Sequence, residues 1–206
     1  MFETSLSMEG NMRGLLPGTA ALAVGMLLSA PVVRAQGAEF ALGGGVGVPL
    51  GDFDDGAKLG WHGLAAISFV PEGWPVGIQF DGSYQQFSLE DDATFTGLKT
   101  RFIQGTGNVV FKFKSSEEST FRPYILGGLG VYNTKTTADD DPGDVLGGGT
   151  TDFGLNAGAG FDFKAGGAGL FIEGRFHNVF VGGDGFGGGS DLQFIPITLG
   201  IRFGGS

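Results

Sequence analysis

Apolar and polar residues alternate with a period of two through most of the chain after residue 39. In the last segment, 192–203, every second side chain from Ile195 to Phe203 is apolar, whereas the intervening positions end on Arg202. Successive side chains of a β-strand point to opposite faces, so this period predicts a strand with one apolar face. No stretch of residues 36–206 shows a helical period, and the pattern therefore predicts an all-β fold. The predicted strands are 40–50, 61–70, 76–89, 98–114, 121–132, 151–164, 170–180 and 192–203.

The connections between these segments are alternately short and long. Short turns fall at 71–75, 115–120 and 165–168, and longer loops separate the other pairs. Strands of about ten residues joined in this way are typical of transmembrane barrels. The pattern predicts an eight-stranded antiparallel up-and-down transmembrane β-barrel in the bacterial outer membrane, with both termini in the periplasm and the longer loops extracellular. Outer-membrane lipid and lipopolysaccharide are the expected surroundings of its wall.

Charged residues in the predicted strands fall on the faces opposite the apolar sets. An Arg or Lys facing lipid near the midplane costs about 2–4 kcal/mol, so several would rival the stability of an ordinary domain, about 5–15 kcal/mol. The charged side chains are therefore expected to fill the lumen. An eight-stranded barrel has room only for side chains or one small ligand, which favours a structural network over a proton or ion path. The predicted lumen network is Asp81, Lys112, Arg122, Asp162, Glu173, Arg175 and Arg202.

Composition narrows the function classes. The 206-residue chain has no Cys, which excludes a disulfide framework and a thiolate metal site. Its 42 Gly are interleaved with apolar residues, which favours folded β structure over a low-complexity segment. The formal net charge is −10 and Lys and Arg are not clustered, so nucleic acid is not an expected partner.

The first 35 residues have the layout of a secretory signal peptide. An apolar run at 15–33 is followed by small residues at the positions that a signal peptidase reads, which predicts cleavage after Ala35. The alternative is an uncleaved membrane anchor, for which the run is barely long enough. Two glutamates near the beginning have the wrong sign for a signal peptide, so translation is expected to start at Met12. Residues 36–206 form the predicted barrel domain.

Two segments carry a family resemblance. Residues 121–132 read Phe-Arg-Pro-Tyr-Ile-Leu-Gly-Gly-Leu-Gly-Val-Tyr, and the chain closes on Thr198-Leu-Gly-Ile-Arg-Phe203. With the alternation, these motifs resemble the bacterial outer-membrane β-barrel domain family, the OmpA-like and opacity-protein-like small barrels, over about residues 40–203. The resemblance implies an assembly signal, matched by Thr198, Gly200 and Phe203, that the barrel assembly machinery would recognise. Three residues, Gly-Gly-Ser, follow the final aromatic, which departs from the family pattern.

Candidate chemistry is sparse. His62 and His177 are the only histidines, and both are expected to point inward near the extracellular rim. A hydrolase would need a histidine oriented by a neighbouring Asp or Ser, and these residues are common in the loops by chance. The sequence therefore predicts no enzyme, no catalytic residue and no cofactor.

Acidic residues concentrate in the predicted long loops. Carboxylates there could bind divalent cations through oxygen ligands, although their spacing at 139–144 does not match a calcium loop. Solvated loop charge is the favoured interpretation, so no metal ligand is assigned. The acidic loop residues are Asp52, Asp54, Asp55, Glu90, Asp91, Asp92, Asp139, Asp140, Asp141, Asp144 and Asp184.

Several inward positions are apolar and define a candidate mouth for small hydrophobic molecules. The expected function is a non-enzymatic structural or surface-interaction role, and a narrow conduit or pocket for small hydrophobic molecules is the alternative. A soluble lipocalin-like barrel is a rival of another class, which would bury its apolar faces and expose its charges. The candidate mouth consists of Leu64, Phe87, Leu126, Leu192 and Phe194.

Overall fold

Eight antiparallel strands close into one barrel in the computed structural model. The structure describes residues 37–90, 97–114, 119–137, 149–165, 168–182 and 191–204, so the predicted signal peptide, the cleavage site after Ala35 and the start at Met12 lie outside it. Each strand pairs with its neighbours in sequence, and the first also pairs with the last. The strands are β1 Ala38–Leu50, β2 Gly60–Phe69, β3 Val76–Ser88, β4 Lys99–Lys112, β5 Phe121–Thr137, β6 Thr150–Ala165, β7 Ala168–Phe180 and β8 Asp191–Gly204.

A single turn of 3-10 helix, Gly51–Phe53, follows β1. In the described part of the chain, no helix has the length and apolar character needed to span a bilayer.

The apolar faces point outward, as the alternation predicts. Phe153, Leu129 and Ile197 are 74%, 63% and 42% exposed, whereas Glu173 and Arg175 are 3% and 2% exposed. A soluble barrel would have the reverse arrangement, with charged side chains outside and apolar side chains inside. Burying an isolated charge is costly, and apolar side chains are stabilised by removal from water. The structure therefore contradicts the lipocalin-like rival and confirms the predicted closed eight-stranded barrel.

Inward glycines make room for large inward side chains. A Cβ at Gly160 would lie 2.5 Å from Cζ of Tyr124, and one at Gly154 would lie 2.7 Å from Cε2 of Tyr132. Both tyrosines are fully buried in the lumen. Glycine in these strands permits close approach of another side chain, which fits an interior filled with aromatic and charged groups.

The ladder between β7 and β8 is interrupted at Pro196. Pairing continues from Gly174–Ile197 to His177–Phe194 in one register, without an inserted residue. Proline has no N–H to donate, so the sequence predicts a bulge or a missing bond at this position. The structure shows a break in the pairing and no bulge.

The two barrel ends differ. Turns between β2 and β3, β4 and β5, and β6 and β7 lie at one end, called here the short-turn end, together with the start of β1 and the end of β8. The opposite end, called the long-loop end, carries the other strand ends and the 3-10 turn, which belongs to the β1–β2 connection. β5 continues to Thr137 and pairs there with Lys99, five residues beyond the predicted strand end.

Candidate functional site: the filled lumen

Four charged side chains form a closed ion-pair ring at the short-turn end. Lys112 Nζ lies 2.5 Å from Glu39 Oε2 and 3.5 Å from Asp162 Oδ2. Arg202 Nη1 lies 3.4 Å from the same Glu39 oxygen. Arg202 Nε lies 3.0 Å from Asp162 Oδ1, close enough for an ion pair although without hydrogen-bond alignment. Acids and bases alternate around this ring, so its formal charges cancel.

Two aromatic side chains pack against the ion-pair ring from within the lumen. The Arg202 guanidinium carbon lies 5.5 Å from the ring centre of Tyr124 and 5.1 Å from that of Phe171. Cations at this distance from an aromatic face are attracted to its electron density. The ionic ring and these two aromatic residues together fill the lumen at the short-turn end.

Arg175 organises a second ionic layer in the middle of the barrel. Its Nη1 donates to both carboxylate oxygens of Asp81 at 3.0 Å, and its Nη2 donates to Glu173 Oε1 at 2.6 Å. All three side chains are nearly completely buried. Two carboxylates face one guanidinium here, and removing charge from water is costly unless hydrogen bonds compensate.

Neutral donors complete the solvation of these two carboxylates. Asp81 accepts hydrogen bonds from Thr106 Oγ1 at 2.7 Å and from Asn108 Nδ2 at 2.8 Å. Glu173 accepts one from the Tyr124 hydroxyl at 2.9 Å. The layer is therefore a connected polar network that crosses the lumen, which accounts for burial of an excess carboxylate.

An aromatic cluster closes the lumen at the long-loop end. Phe87, Phe102 and Phe194 are fully buried, with ring centres 5.0–5.9 Å apart. Phe53, from the 3-10 turn, packs edge-on against Phe87 and Phe102. We call this cluster the aromatic lid; its buried members are Phe53, Ala57, Phe87, Phe102, Tyr132, Val179 and Phe194.

The predicted lumen residues divide into three groups. Lys112, Asp162 and Arg202 belong to the ionic ring, and Asp81, Glu173 and Arg175 belong to the middle layer. The sequence places Arg122 in the network, but its side chain is exposed at the beginning of β5 and outside both ionic layers, because the neighbouring strand β4 ends at Lys112, opposite Tyr124.

Arg122 instead lines a cavity of about 300 Å³ at the short-turn end, with Lys114, Glu72 and Trp74. Glu39 is the ring member that the sequence analysis missed. It precedes the first predicted strand by one residue, although its odd number places it on the inward face of β1.

The candidate apolar mouth is not one open site. Phe87 and Phe194 lie in the lid and Leu192 packs against it. Leu64 lies apart, with Ala41, Ala66 and Phe171, and Leu126 lies in a third cluster with Val110 and Tyr124.

Five further residues complete the lid and are not among the predicted mouth residues: Phe53, Ala57, Phe102, Tyr132 and Val179. Phe102 shares the inward face of its strand with Gln104, so alternation alone could have identified it.

Both histidines point inward and are buried beneath the lid rather than at the rim. His62 Nε2 lies 2.8 Å from Thr198 Oγ1, and His177 Nδ1 lies 2.8 Å from the Tyr132 hydroxyl. Of the predicted assembly signal, Thr198 therefore faces the lumen, Gly200 lies against Phe171, and Phe203 is partly exposed near the end of β8.

No metal site is evident in the ranges that the structure describes, where no three His, Asp or Glu side chains are placed to hold an ion. Asp52, Asp54, Asp55 and Glu90 are exposed. The other acidic loop residues, at 91–92, 139–144 and 184, lie outside the described residues.

A closed eight-stranded barrel with an apolar outer wall and an ionic interior defines the class of small transmembrane β-barrels. The family comparison agrees: residues 20–203 match the outer membrane protein beta-barrel domain, and the chain belongs to that family. The family resemblance drawn from the sequence is confirmed. No protein with a curated description matches the chain.

Similar solved structures include Neisserial surface protein A, NspA, which is 12% identical with a TM-score of 0.56; the match covers 82% of this chain and 97% of that one. The N-terminal β-barrel domain of Pseudomonas aeruginosa OprF is 14% identical with a TM-score of 0.47, covering 82% and 98%. The outer membrane enzyme PagL is 15% identical with a TM-score of 0.46, covering 81% and 99%.

The prediction that this chain is not an enzyme is corrected by the last of these structures. An outer membrane enzyme has a barrel similar to this one, so the fold gives no ground for excluding an activity.

Proposed function

We propose that this outer-membrane barrel has a structural or surface-interaction role and acts through its exterior and its loops. The observation that carries the proposal is the filling of the lumen at three levels. The ionic ring, the Arg175 layer and the aromatic lid each occupy the interior of the barrel. An eight-stranded barrel has little room beyond its own side chains, which supports the same conclusion.

The proposed orientation places the short-turn end in the periplasm and the long loops at the cell surface. Short periplasmic turns and longer extracellular loops are the usual arrangement in bacterial barrels. Both ends of the barrel chain, Ala38 and Gly204, lie at the short-turn end, consistent with insertion from the periplasm after export. Residues 1–35 are the proposed export signal.

The proposed contacts are with the membrane and the assembly machinery. Exposed apolar side chains would contact lipid and lipopolysaccharide, with Trp61 and Trp74 exposed at opposite barrel ends. Tryptophan is enriched at both membrane–water interfaces. The closing segment with Thr198, Gly200 and Phe203 is the proposed signal for the barrel assembly machinery. The acidic loops are proposed to be solvated, and binding of divalent cations there is the alternative.

The structural role and the conduit alternative predict different permeabilities of the barrel. We expect the purified barrel to be electrically silent in planar bilayers and liposomes containing it to exclude an apolar dye, because three packed layers obstruct the lumen. A general porin reconstituted in parallel would show that the assay detects open barrels. Stepwise conductance or dye uptake that scales with the amount of barrel would contradict the proposal and favour a conduit.

A further inference from the structure

A patch of polar side chains lies between the aromatic lid and the Arg175 layer. Its members are His62 on β2, Ser83 and Gln85 on β3, and Gln104 on β4, and all are at least nine-tenths buried. The strand register joins them, because His62 pairs with Gln85 and Ser83 pairs with Gln104. The patch is therefore continuous across three neighbouring strands.

Register and contacts fix the height of the patch in the lumen. Gln85 pairs with Phe102 of the lid, and Phe87, two residues further along β3, also belongs to the lid. In the other direction, Asp81 of the Arg175 layer follows Ser83 on the inward face of β3. The patch is thus enclosed above by aromatic rings and below by an ionic layer.

Five polar atoms of this patch have no hydrogen-bond partner within the protein. They are His62 Nδ1, Ser83 Oγ, Gln85 Nε2, Gln85 Oε1 and Gln104 Oε1. A buried polar group without a hydrogen-bond partner destabilises the folded state, and such groups are rare in native proteins. These atoms include donors and acceptors of neutral groups, so a neutral molecule that both donates and accepts hydrogen bonds fits them best.

The opposite wall leaves space for the Gln85 amide. A Cβ at Gly47 of β1 would overlap Gln85 Nε2, and one at Gly45 would lie 3.1 Å from Cε1 of His62. Both side chains therefore extend past their own strands toward β1 at the same height. The two glycines leave the space beside β1 that the Gln85 amide and the His62 ring occupy.

We propose that this patch is an internal hydration site that binds a small cluster of ordered water molecules beneath the aromatic lid. A buried water molecule makes about three hydrogen bonds, so the five atoms are matched to about two waters. An ion is a poorer match, because none of the four side chains of the patch carries a carboxylate, and the carboxylates of Asp81 and Glu173 below it already accept hydrogen bonds from Arg175. The site is independent of the proposed surface role.

Two inward glutamines of β3, Gln85 and Gln79, provide the test. In a barrel with ¹⁵N-labelled glutamine, the side-chain amide protons of Gln85 should show NOE and ROE cross-peaks with long-lived water. Gln79 is the matched control, because Ser68 donates to its Oε1 at 2.9 Å and its Nε2 donates to Asp81 at 3.2 Å. Cross-peaks at Gln85 and none at Gln79 support the site. A folded barrel without cross-peaks at Gln85 overturns it.

A second variant tests the site without spectral assignment. Gln85→Met replaces the amide by an apolar group of similar length, and its urea unfolding midpoint should fall if water satisfies that amide. If the amide is unsatisfied, its removal relieves a penalty, so a midpoint equal to or above that of the unsubstituted barrel overturns the proposal. Gln79→Met should lower the midpoint, since it removes two hydrogen bonds within the protein.

Discussion

Arg175→Met is expected to destabilise the folded barrel by about 3–5 kcal/mol, the usual penalty for removing one partner of a buried ion pair. Arg175 is the cation that contacts both Asp81 and Glu173, and all three side chains are buried. Without it, two carboxylates would remain in the lumen with only neutral donors. Urea unfolding in lipid vesicles, followed by tryptophan fluorescence, measures the change in the free energy of unfolding.

Two further variants separate the charge effect from the loss of a long side chain. Arg122→Met removes an exposed arginine at the short-turn end and should change the free energy of unfolding by less than about 0.5 kcal/mol. The triple variant with Asp81→Asn, Glu173→Gln and Arg175→Met should be more stable than Arg175→Met alone, because no unpaired charge then remains in the middle layer. If Arg175→Met changed the free energy of unfolding as little as Arg122→Met, the Arg175 layer would not contribute to stability in the way proposed.

Leu129→Arg is expected to cost about 2–4 kcal/mol, because it places a cation on the lipid-facing surface near the midplane. Leu129 is the central residue of β5 and is 63% exposed on the outer wall. In an aqueous environment the same substitution of an exposed leucine would have little effect or improve solubility. The free energy of unfolding in vesicles measures the cost.

Leu170→Arg is the matched control for membrane depth. Leu170 also faces outward but is the third residue of β7, at the short-turn end of the barrel. A cation near the membrane interface costs only about 0–1 kcal/mol. Equal penalties at the two positions would contradict the placement of the hydrocarbon layer around the middle of the barrel.

The sequence predicts the strands well because two very different environments meet at the barrel wall. A shift of one residue would exchange lipid-facing and lumen-facing side chains, so the alternation between Phe153 and Phe163 leaves one choice of faces. The difference in polarity between the two environments is smaller at the barrel ends. Residues 133–137 extend β5 but are polar on both faces, so the alternation predicts a loop there.

Alternation predicts which face a side chain occupies, but not its height in the lumen. Leu64, Leu126 and Phe194 all point inward, yet they belong to three separate clusters. Height depends on the tilt and stagger of the strands around the barrel, which periodicity within one strand does not report. For the same reason the sequence could not separate the ionic ring from the Arg175 layer.

Phe53 shows a second limit. It lies in an acidic segment for which the sequence predicts only a connecting loop, and a 3-10 turn brings its ring into the lid. The prediction that the chain is not an enzyme was wrong for a different reason. The motifs in the sequence specify the barrel, and a barrel fold can support several kinds of function.

In our account the apolar face of each strand contacts the hydrocarbon of the membrane, and the charged face is enclosed in the lumen. The chain has no Cys, so single cysteines can be introduced along β6 and labelled with a nitroxide. In vesicles, labels at the outward positions should be accessible to dissolved oxygen and protected from a polar nickel reagent, whereas a label at Asn156 should be protected from oxygen. High nickel accessibility at the outward positions, or oxygen accessibility at Asn156 instead, would contradict the account. The outward positions are Phe153, Leu155, Ala157, Ala159 and Phe161.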